Sequence, residues 1–185
     1  NCAGSINPFV SHAFLNALEQ SGAVDIETGW APNHLVMVDE AGQLCGATPF
    51  YLKSHSYGEF VFDHIWADAY ERAGGRYYPK LISAVPFVPV TGPRLLTRPD
   101  ASERNIQETL CAGMIELATR HKVSSVHVTF PTEPQSACLE KVGFHVRKNL
   151  QYHWINRGYE TFSDFLSNLT SRKRKTIRRE RKRIV

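Results

Sequence analysis

Apolar and polar residues follow helical spacing in some parts of the chain and strand-like alternation in others. Residues 9–21 carry one apolar helical face, and Gly22 follows as a C-terminal stop. Residues 34–54 contain two β runs around the turn "DEAG", a pattern that predicts a hairpin. Pro49 inside the second run indicates an edge strand or a bulge.

Three further elements are predicted in the middle of the chain. The stretch "GEFVFD" at 58–63 favours a short strand that leads into a helix, with Asp63 as the N-cap and a glycine pair at its end. Residues 80–85 favour another strand. Five of the ten prolines fall between 79 and 99, so residues 86–99 are predicted to form a rigid loop that turns at "TGPR".

The last third of the chain also alternates between helical and extended patterns. Two capping-box patterns, Asp100 to Glu103 and Thr132 to Gln135, each stand at the start of an expected helix. The elements predicted here are a helix at 103–121, a strand at 124–130, a short helix ended by Gly143, a strand at 144–156 and a helix after Gly158. Helices that alternate with strands, together with a hairpin, are typical of an α/β fold with a mixed sheet.

Charge is unevenly distributed along this sequence. Lys and Arg number 22 against 18 Asp and Glu, but nine of the basic residues lie in the last fifteen positions, "SRKRKTIRRERKRIV", with Glu180 as the only acid. Residues 1–170 therefore have a net charge of −4. The pI near 8.9 describes the tail, where any contact with a polyanion is expected.

Several classes of protein are disfavoured by what the sequence lacks. No apolar run approaches the roughly 20 residues that span a bilayer, and no signal-peptide pattern opens the chain. The four cysteines form no CxxC pair, which fits reduced thiols in a cytosolic protein. No histidine pairing predicts a metal site, and no G-x-S-x-G predicts a nucleophilic triad.

Longer motifs resemble a known family. The unit around "LEKVGF" is similar to the C-terminal part of the GNAT acyltransferase fold, in which a short helix ends in L-x-x-x-GF before a long strand. The stretches "HSYGEFVFDHIWADAYERAG", "YYPKLISAVPFVPVTGPRLL" and "SRKRKTIRRERK" together resemble the FemAB-like peptidoglycan biosynthesis/recognition family of predicted N-acyltransferases. This resemblance covers nearly the whole chain.

The resemblance implies a GNAT-like α/β fold, with a mixed, mostly antiparallel sheet flanked by helices. It implies transfer of an acyl or aminoacyl group to an amine in the bacterial cytoplasm. The implied donor is acyl-CoA or aminoacyl-tRNA, and the implied acceptor is a peptidoglycan precursor. Since such proteins contain two GNAT-like halves, residues 1–158 are expected to form the first half and 159–185 a connecting helical segment. The second half, or another copy of the chain, is the expected partner.

One motif of the GNAT fold is missing from its expected place. The donor turn [RQ]-x-x-G-x-[GA] belongs between the strand at 80–85 and the helix at 103–121, where backbone N–H groups meet the pyrophosphate. Here the sequence has "PFVPVTGPRLLTRPDAS", with one glycine and four prolines. Because proline lacks an N–H group, we expect weak or no CoA binding and an acceptor-side role for this half.

Candidate chemistry is concentrated in "HSYGEFVFDH". Acylation of an amine needs a base for the ammonium proton, and an acid can protonate the leaving thiolate or ribose oxygen. Glu59 or His55 suits the first role and Tyr57 the second, although the spacing assigns neither. Further candidates, for substrate binding, are Asp63, Lys80, Arg94, His127 and Thr129. The alternative is that these residues serve as a helix cap, as surface charges or as hydrogen-bonded core groups.

The basic tail leaves more than one function open. As a helix it places Arg172, Lys175, Arg179 and Lys182 on one face, a pattern that favours contact with a polyanion such as tRNA. Its apolar seam is too thin for a membrane-lying helix, and it lacks interleaved aromatic residues for base stacking. The alternatives to an acyltransferase half are a nucleic-acid-binding module on an inactive acyltransferase-like scaffold, or a solvated connector helix.

Overall fold

A computed structural model describes residues 2–4, 7–100 and 102–184. The chain divides into two compact units, Asn1–Val146 (unit 1) and Arg147–Val185 (unit 2). The sequence placed its boundary at residue 158, and that domain assignment stays a prediction.

Unit 1 combines helices with short strands. A 3-10 helix at Pro8–Val10 precedes α1, for which the Ser11 hydroxyl accepts a capping bond from the Phe14 amide. The helices are α1 (His12–Gln20), α2 (His64–Arg72), α3 (Glu103–His121) and α4 (Glu133–Lys141). The strands are β1 (Trp30–Pro32), β2 (Leu35–Val38), β3 (Leu44–Thr48), β4 (Tyr51–Lys53), β5 (Lys80–Ser83), β6 (Leu96–Thr97) and β7 (Val126–Val128).

The strands form two sheets. One has the order β1-β4-β5-β7, with antiparallel pairs except for β5 and β7, which run parallel. The other, β2-β3-β6, is antiparallel and contains the predicted hairpin. Pro49 lies where the chain leaves β3 and enters β4 in the other sheet. The predicted α/β class, with mixed and mostly antiparallel sheets flanked by helices, is confirmed.

The largest core lies between the sheets and α3. Ile106, Leu110 and Met114 are buried on α3 at the predicted helical spacing, and they pack with Phe50 and Leu81. Leu81 of β5 is paired with Leu52 of β4. Because side chains alternate across a strand, the neighbouring residues of both strands face the opposite side of the sheet, where the candidate site lies.

Two predicted strands are wrong. Residues 58–63 form a loop, because Gly58 and Phe60 have φ angles of 80° and 55°, which an extended strand does not allow. Residues 144–156 alternate in sequence but form no strand in the described chain, and Leu150 and Tyr152 are exposed. Alternation alone does not provide the paired edge that a strand needs.

The capping predictions are also corrected. Helix α3 begins after Ser102, and the Asp100 carboxylate instead accepts a bond from Arg98 Nε at 2.7 Å. Thr132 stands at the N-cap of α4 without a side-chain capping bond. The last part of the predicted rigid loop at 86–99 contains β6, which pairs with β3.

Unit 2 contains two helices, α5 (Phe162–Ser167) and α6 (Ser171–Ile184). Thr161 and Asp164 form a reciprocal capping box at the start of α5. The basic tail is helical, and Arg172, Lys175, Arg179 and Lys182 are exposed. Within the described residues, we find no helix with the length and apolar character that crossing a membrane requires.

Gly46 in β3 provides a test of the core packing. A Cβ atom at Gly46 would lie 2.4 Å from Ile106 Cγ2, so we expect Gly46→Ala to overpack the contact between β3 and α3. The free energy of unfolding should fall by about 1–3 kcal/mol, as measured by urea denaturation.

Gly113→Ala is the matched control. A Cβ atom there meets Leu35 Cδ1 at 3.6 Å, an ordinary contact, within helix α3. This variant should be neutral or stabilised by up to about 1 kcal/mol. Equal effects of the two substitutions would contradict the packing described for Gly46.

Candidate functional site

Strand register brings two buried lysines together. Lys53 of β4 and Lys80 of β5 are direct partners in the antiparallel pair, so both side chains lie on the same face of the sheet. Both are 0% exposed. Like charges directly opposite each other destabilise a sheet, and buried ions need paired partners. Opposite charges must therefore compensate this pair.

The Lys80 ammonium has a complete set of partners. It donates to Glu59 Oε2 at 2.8 Å, to Asp63 Oδ2 at 2.6 Å and to Ser56 Oγ at 2.8 Å. Three acceptors match the three N–H donors of an ammonium group. Two of these partners come from the loop that follows β4, and Asp63 is the residue before α2. Lys80 thus fixes this loop to the sheet.

Lys53 has a weaker environment. Its Nζ lies 3.6 Å from the centroid of the Trp30 ring and donates to the Tyr57 carbonyl at 3.2 Å. Burial, opposed by the charge of Glu59 and assisted by the charge of Lys80, lowers the pKa of Lys53 to about 7. Lys53 is therefore divided between its charged and neutral forms near neutral pH.

The pKa values of the two carboxylates are shifted in opposite directions, and the carboxylates share one unusual feature. Burial raises the pKa of Glu59, although the charge of Lys80 opposes this. Burial also acts to raise the pKa of Asp63, but hydrogen bonds from Lys80 and Ser56 outweigh it and hold the pKa at about 2. Glu59 Oε1 and Asp63 Oδ1 are buried, and neither has a hydrogen-bond partner among the described residues.

His55 and Tyr57 lie at the edge of this cluster. His55 Nε2 is 3.1 Å from the Thr28 carbonyl, so this nitrogen carries the proton, and Nδ1 accepts the Tyr57 amide at 3.2 Å. Burial, followed by the charge of Lys53, lowers the pKa of His55. The Tyr57 side chain is 72% exposed. Both ring nitrogens of His55 are therefore engaged, whereas the Tyr57 ring faces solvent.

Two tyrosines and a histidine extend the cluster. The Tyr77 hydroxyl donates to Asp63 Oδ2 at 2.8 Å, and the Tyr78 hydroxyl lies 2.7 Å from Ser56 Oγ. Burial and the bond to Asp63 raise the pKa of Tyr77. His127 is partly buried, and its ring lies 6.4 Å from that of Tyr77. Its Nε2 atom is 2.8 Å from Ser125 Oγ.

Arg94 and Thr129 lie in a different environment. The buried Arg94 side chain donates to the carbonyl oxygens of Thr129, Val90 and Pro93 at 2.9, 2.7 and 3.2 Å. Thr129 is 7% exposed, and its amide donates to the Ser83 carbonyl. These contacts favour a structural role for both residues, and their role in substrate binding stays a prediction.

Five residues that the sequence offered as candidates lie in or beside one cluster in the structure: His55, Tyr57, Glu59, Asp63 and Lys80. The sequence analysis missed Lys53 and Ser56, and it assigned no site role to Tyr77 or Tyr78. Alternation along its strand places Lys53 on the same face as Tyr51, but the pairing of Lys53 with Lys80 is seen only in the fold. Among the described residues, no group of three or more His, Cys, Asp or Glu is placed to hold a metal ion.

Comparison with known proteins identifies the family. A sequence profile of the FemAB-like family, described as peptidoglycan biosynthesis/recognition, matches residues 1–185. The chain belongs to the FemAB-like family. No curated protein matches it. The crystal structure of an aminoglycoside antibiotic 6'-N-acetyltransferase from Acinetobacter baumannii matches at a TM-score of 0.44 and 13% identity, over 77% of this chain and 81% of that chain.

The loop after β5 in this FemAB-like chain does not fit a pyrophosphate. Prolines at 86, 89, 93 and 99 have no N–H group. Most of the other amides donate within the protein, at distances of 2.7–3.3 Å. They are the amides of Phe87, Val88, Gly92, Arg94, Leu95 and Arg98. A donor phosphate therefore finds few free N–H groups at this loop.

Replacing Lys80 by Met tests the charge compensation. Two buried carboxylates would lose their shared cation, so the free energy of unfolding at pH 7 should fall by about 3–5 kcal/mol. The exposed Lys141→Met should change it by less than about 0.5 kcal/mol. Urea denaturation measures both variants. A Lys80→Met protein as stable as the wild type would show that the ion cluster is not needed for folding.

The dependence of the unfolding free energy on pH in the acid range gives a second expectation for Lys80→Met. The folded pKa of Asp63 is lowered from 3.8 to about 2, so its contribution is present above pH 3.8 and is lost as the pH falls towards 2. This loss should be smaller in Lys80→Met, because the hydrogen bond that lowers the pKa is gone.

Lys53 predicts a pH dependence in the alkaline range. Its folded pKa is about 7 against an ordinary 10.5, so the unfolded chain binds more protons between these values and stability rises with pH there. Lys53→Met should remove this rise. The difference in unfolding free energy between the wild type and the variant, measured from pH 6.5 to 10, should therefore change steadily with pH. A constant difference would contradict the lowered pKa.

Proposed function

We propose that this FemAB-like chain is an N-acyltransferase-type protein that transfers an acyl or aminoacyl group to an amine in cell-wall peptide metabolism. Unit 1 supplies the acceptor side. The observation that supports this most directly is the pair of buried carboxylate oxygens, Glu59 Oε1 and Asp63 Oδ1, that have no partner among the described residues.

Such a pair suits a primary ammonium group. Native proteins pair nearly all buried polar atoms, so two unpaired acceptors in one cluster favour a ligand that donates hydrogen bonds. An ammonium has three N–H donors and a positive charge, and it complements both carboxylates. A ligand that carries a carboxylate at this position would be repelled by the same two oxygens.

The two carboxylates suit different roles in the proposed reaction. Asp63, whose pKa is held at about 2, stays ionised and anchors the ammonium. Glu59, whose pKa is raised by burial, takes a proton from the ammonium. The free amine then attacks the acyl carbon, the bond from that carbon to the thiolate of CoA or to the ribose oxygen of tRNA breaks, and the proton that the amine loses leaves with this group. Lys80 positions both groups through its hydrogen bonds. A base is most efficient when its pKa approaches the working pH.

The amine substrate reaches Glu59 Oε1 and Asp63 Oδ1 only if the residues that cover these oxygens move. Glu59 is 3% exposed and Asp63 is 0% exposed. Phe60 and Phe87 have left-handed φ angles of 55° and 63°, and the Phe87 amide donates to the Gly58 carbonyl at 3.0 Å. Non-glycine residues in this region are strained. We infer that the contact between Phe87 and Gly58 breaks to admit the amine, while Glu59 and Asp63 stay bonded to Lys80.

The donor is proposed to bind outside the loop at 86–99. Acyl-CoA and aminoacyl-tRNA both remain candidates for the donor, and few amides of this loop are free for phosphate. A second GNAT-like half, as expected from the sequence, is the proposed site for the donor. Stoichiometric binding of acyl-CoA at this loop would contradict the acceptor-side assignment.

A second candidate function is polyanion binding by unit 2. Its support is the exposed face of α6, where Arg172, Lys175, Arg179 and Lys182 lie together. Residues 147–185 contain twelve Lys and Arg against three Asp and Glu, a net charge of +9. Contact with tRNA through this face is compatible with the acyltransferase proposal when aminoacyl-tRNA is the donor.

Glu59→Gln tests the acceptor site. A cell-wall pentapeptide with a free side-chain amine should bind the wild type, and the variant should bind it at least ten-fold more weakly. A hydrogen bond to a charged group is worth about 1.5–3 kcal/mol, which corresponds to this loss. Isothermal titration calorimetry measures both affinities.

Two controls define the outcome. Glu40→Gln changes an exposed carboxylate in the hairpin turn and should bind the peptide like the wild type. The same peptide with its amine acetylated should bind the wild type poorly, because it lacks the ammonium. Equal affinity for the free and acetylated peptides would refute the proposed amine site.

A further inference from the structure

Unit 2 carries an unusual amount of exposed aromatic and apolar surface beside its charge. Trp154 is 66% exposed and Tyr152 is 89% exposed, although large apolar side chains are normally buried. Trp154, Tyr159 and Phe165 nevertheless lie close to one another, with ring centroids 5.7–6.2 Å apart. These three rings, which we call the aromatic cluster, form an organised surface.

The aromatic cluster lines a groove of about 410 Å³. The rings of Trp154 and Tyr159 are nearly parallel, with an interplanar angle of 28°. His153 and Arg157 also line the groove, as do Asn168 and Leu169, which follow α5 in the chain. A groove of this volume is within the range of small-ligand pockets. Flat aromatic walls with polar groups beside them suit a flat heteroaromatic ring.

The basic helix belongs to the same unit as the groove. Arg181 of α6 stacks over Phe162 of α5, with Cζ 4.2 Å from the ring centroid. This contact places α6 against the short helix that contributes Phe165 to the groove. The basic charges of α6 and the aromatic cluster are thus connected through α5. The sequence lacked aromatic residues within the tail itself, and the fold supplies them from residues 154–165 instead.

We propose that unit 2 binds a single-stranded polynucleotide, with a base stacked on Trp154 in the groove and the phosphates paired with the basic face of α6. Stacking on aromatic side chains together with a positive surface that follows the backbone is how proteins bind single strands without sequence preference. The proposal extends the polyanion function by adding a base-binding site. It does not depend on acyl transfer in unit 1.

Other occupants fit these observations less well. A duplex hides its base faces, so it would use α6 but not the aromatic cluster. An acidic peptide would pair with the basic side chains of α6 but would leave the nearly parallel rings of Trp154 and Tyr159 without a stacking partner. An anionic membrane surface would engage exposed Trp and Lys or Arg residues, but α6 lacks the apolar face that membrane-lying helices require.

Trp154→Ala tests the base-binding site in the complete chain. Fluorescein-labelled oligo(U) and oligo(dT) of twelve nucleotides are titrated, and fluorescence anisotropy gives the affinities. Loss of one stacked base should weaken binding roughly ten-fold or more, with the salt dependence unchanged. Tyr152→Ala removes an exposed aromatic residue outside the groove and should leave the affinity within about two-fold. The two oligonucleotides distinguish RNA from DNA as the source of the strand.

A charge variant tests the other half of the proposal. Neutralising Arg172, Lys175, Arg179 and Lys182 to Gln should reduce the slope of log affinity against log salt by roughly three, since each phosphate contact contributes about 0.7 for a single strand. Inorganic polyphosphate should bind the wild type and Trp154→Ala equally, because it has no bases. Circular dichroism checks that the variants remain folded, and Trp154→Phe should keep most of the affinity.

Several results would overturn the proposal. One is that Trp154→Ala binds the oligonucleotides as tightly as the wild type does. Another is that Trp154→Ala weakens the binding of single strands and of duplexes equally. A third is that oligonucleotides bind weakly while binding to phosphatidylserine vesicles depends on Trp154. Failure of the peptide experiment on Glu59→Gln leaves this proposal unaffected, since the two sites are in different units.

Discussion

Two lysines that face each other across neighbouring strands set the main electrostatic constraint in this protein. Lys53 and Lys80 are fully buried on one face of the β4–β5 pair, an arrangement that is unfavourable unless anions lie close by. Glu59 and Asp63 supply those anions, and they come from the loop and helix start that follow β4. The conformation of that loop, including its left-handed residues, brings both carboxylates to the Lys80 ammonium.

This constraint links stability to the proposed chemistry. A cluster that only neutralised charge would pair every oxygen, yet one oxygen of each carboxylate is left without a partner among the described residues. The same cluster separates the protonation behaviour of its two acids, because the hydrogen bonds to Asp63 and the burial of Glu59 move their pKa values in opposite directions. Paired groups with separated pKa values are typical of acid–base sites. The geometry therefore favours an amine-handling site over a purely structural ion network.

The sequence predicted local features well where a local residue pattern determines the structure. It predicted them poorly where contacts with distant residues determine the structure. Helix α3 followed from its apolar spacing, and the hairpin followed from its turn residues. The strand expected at 144–156 failed, because alternation does not supply a pairing edge. Asp63 was placed correctly at the start of α2, but its carboxylate accepts a bond from Lys80 and makes no capping bond to the helix amides. Lys53 was missed, since its position became informative only through its register with Lys80, and register is set by pairing between distant segments.

The anchoring of the proline-rich loop has a consequence for local motion. The Gln135 side chain on α4 accepts hydrogen bonds from the amides of Arg94 and Leu95 and donates one to the Leu95 carbonyl. The side-chain amide of Gln135 therefore bonds to the loop backbone as a neighbouring β-strand would. Segments without regular structure usually exchange their amide hydrogens quickly. For Arg94 and Leu95 the protection comes from a helix side chain. Exchange of these two amides therefore requires displacement of Gln135, and it should report the movement of α4 rather than that of the loop alone.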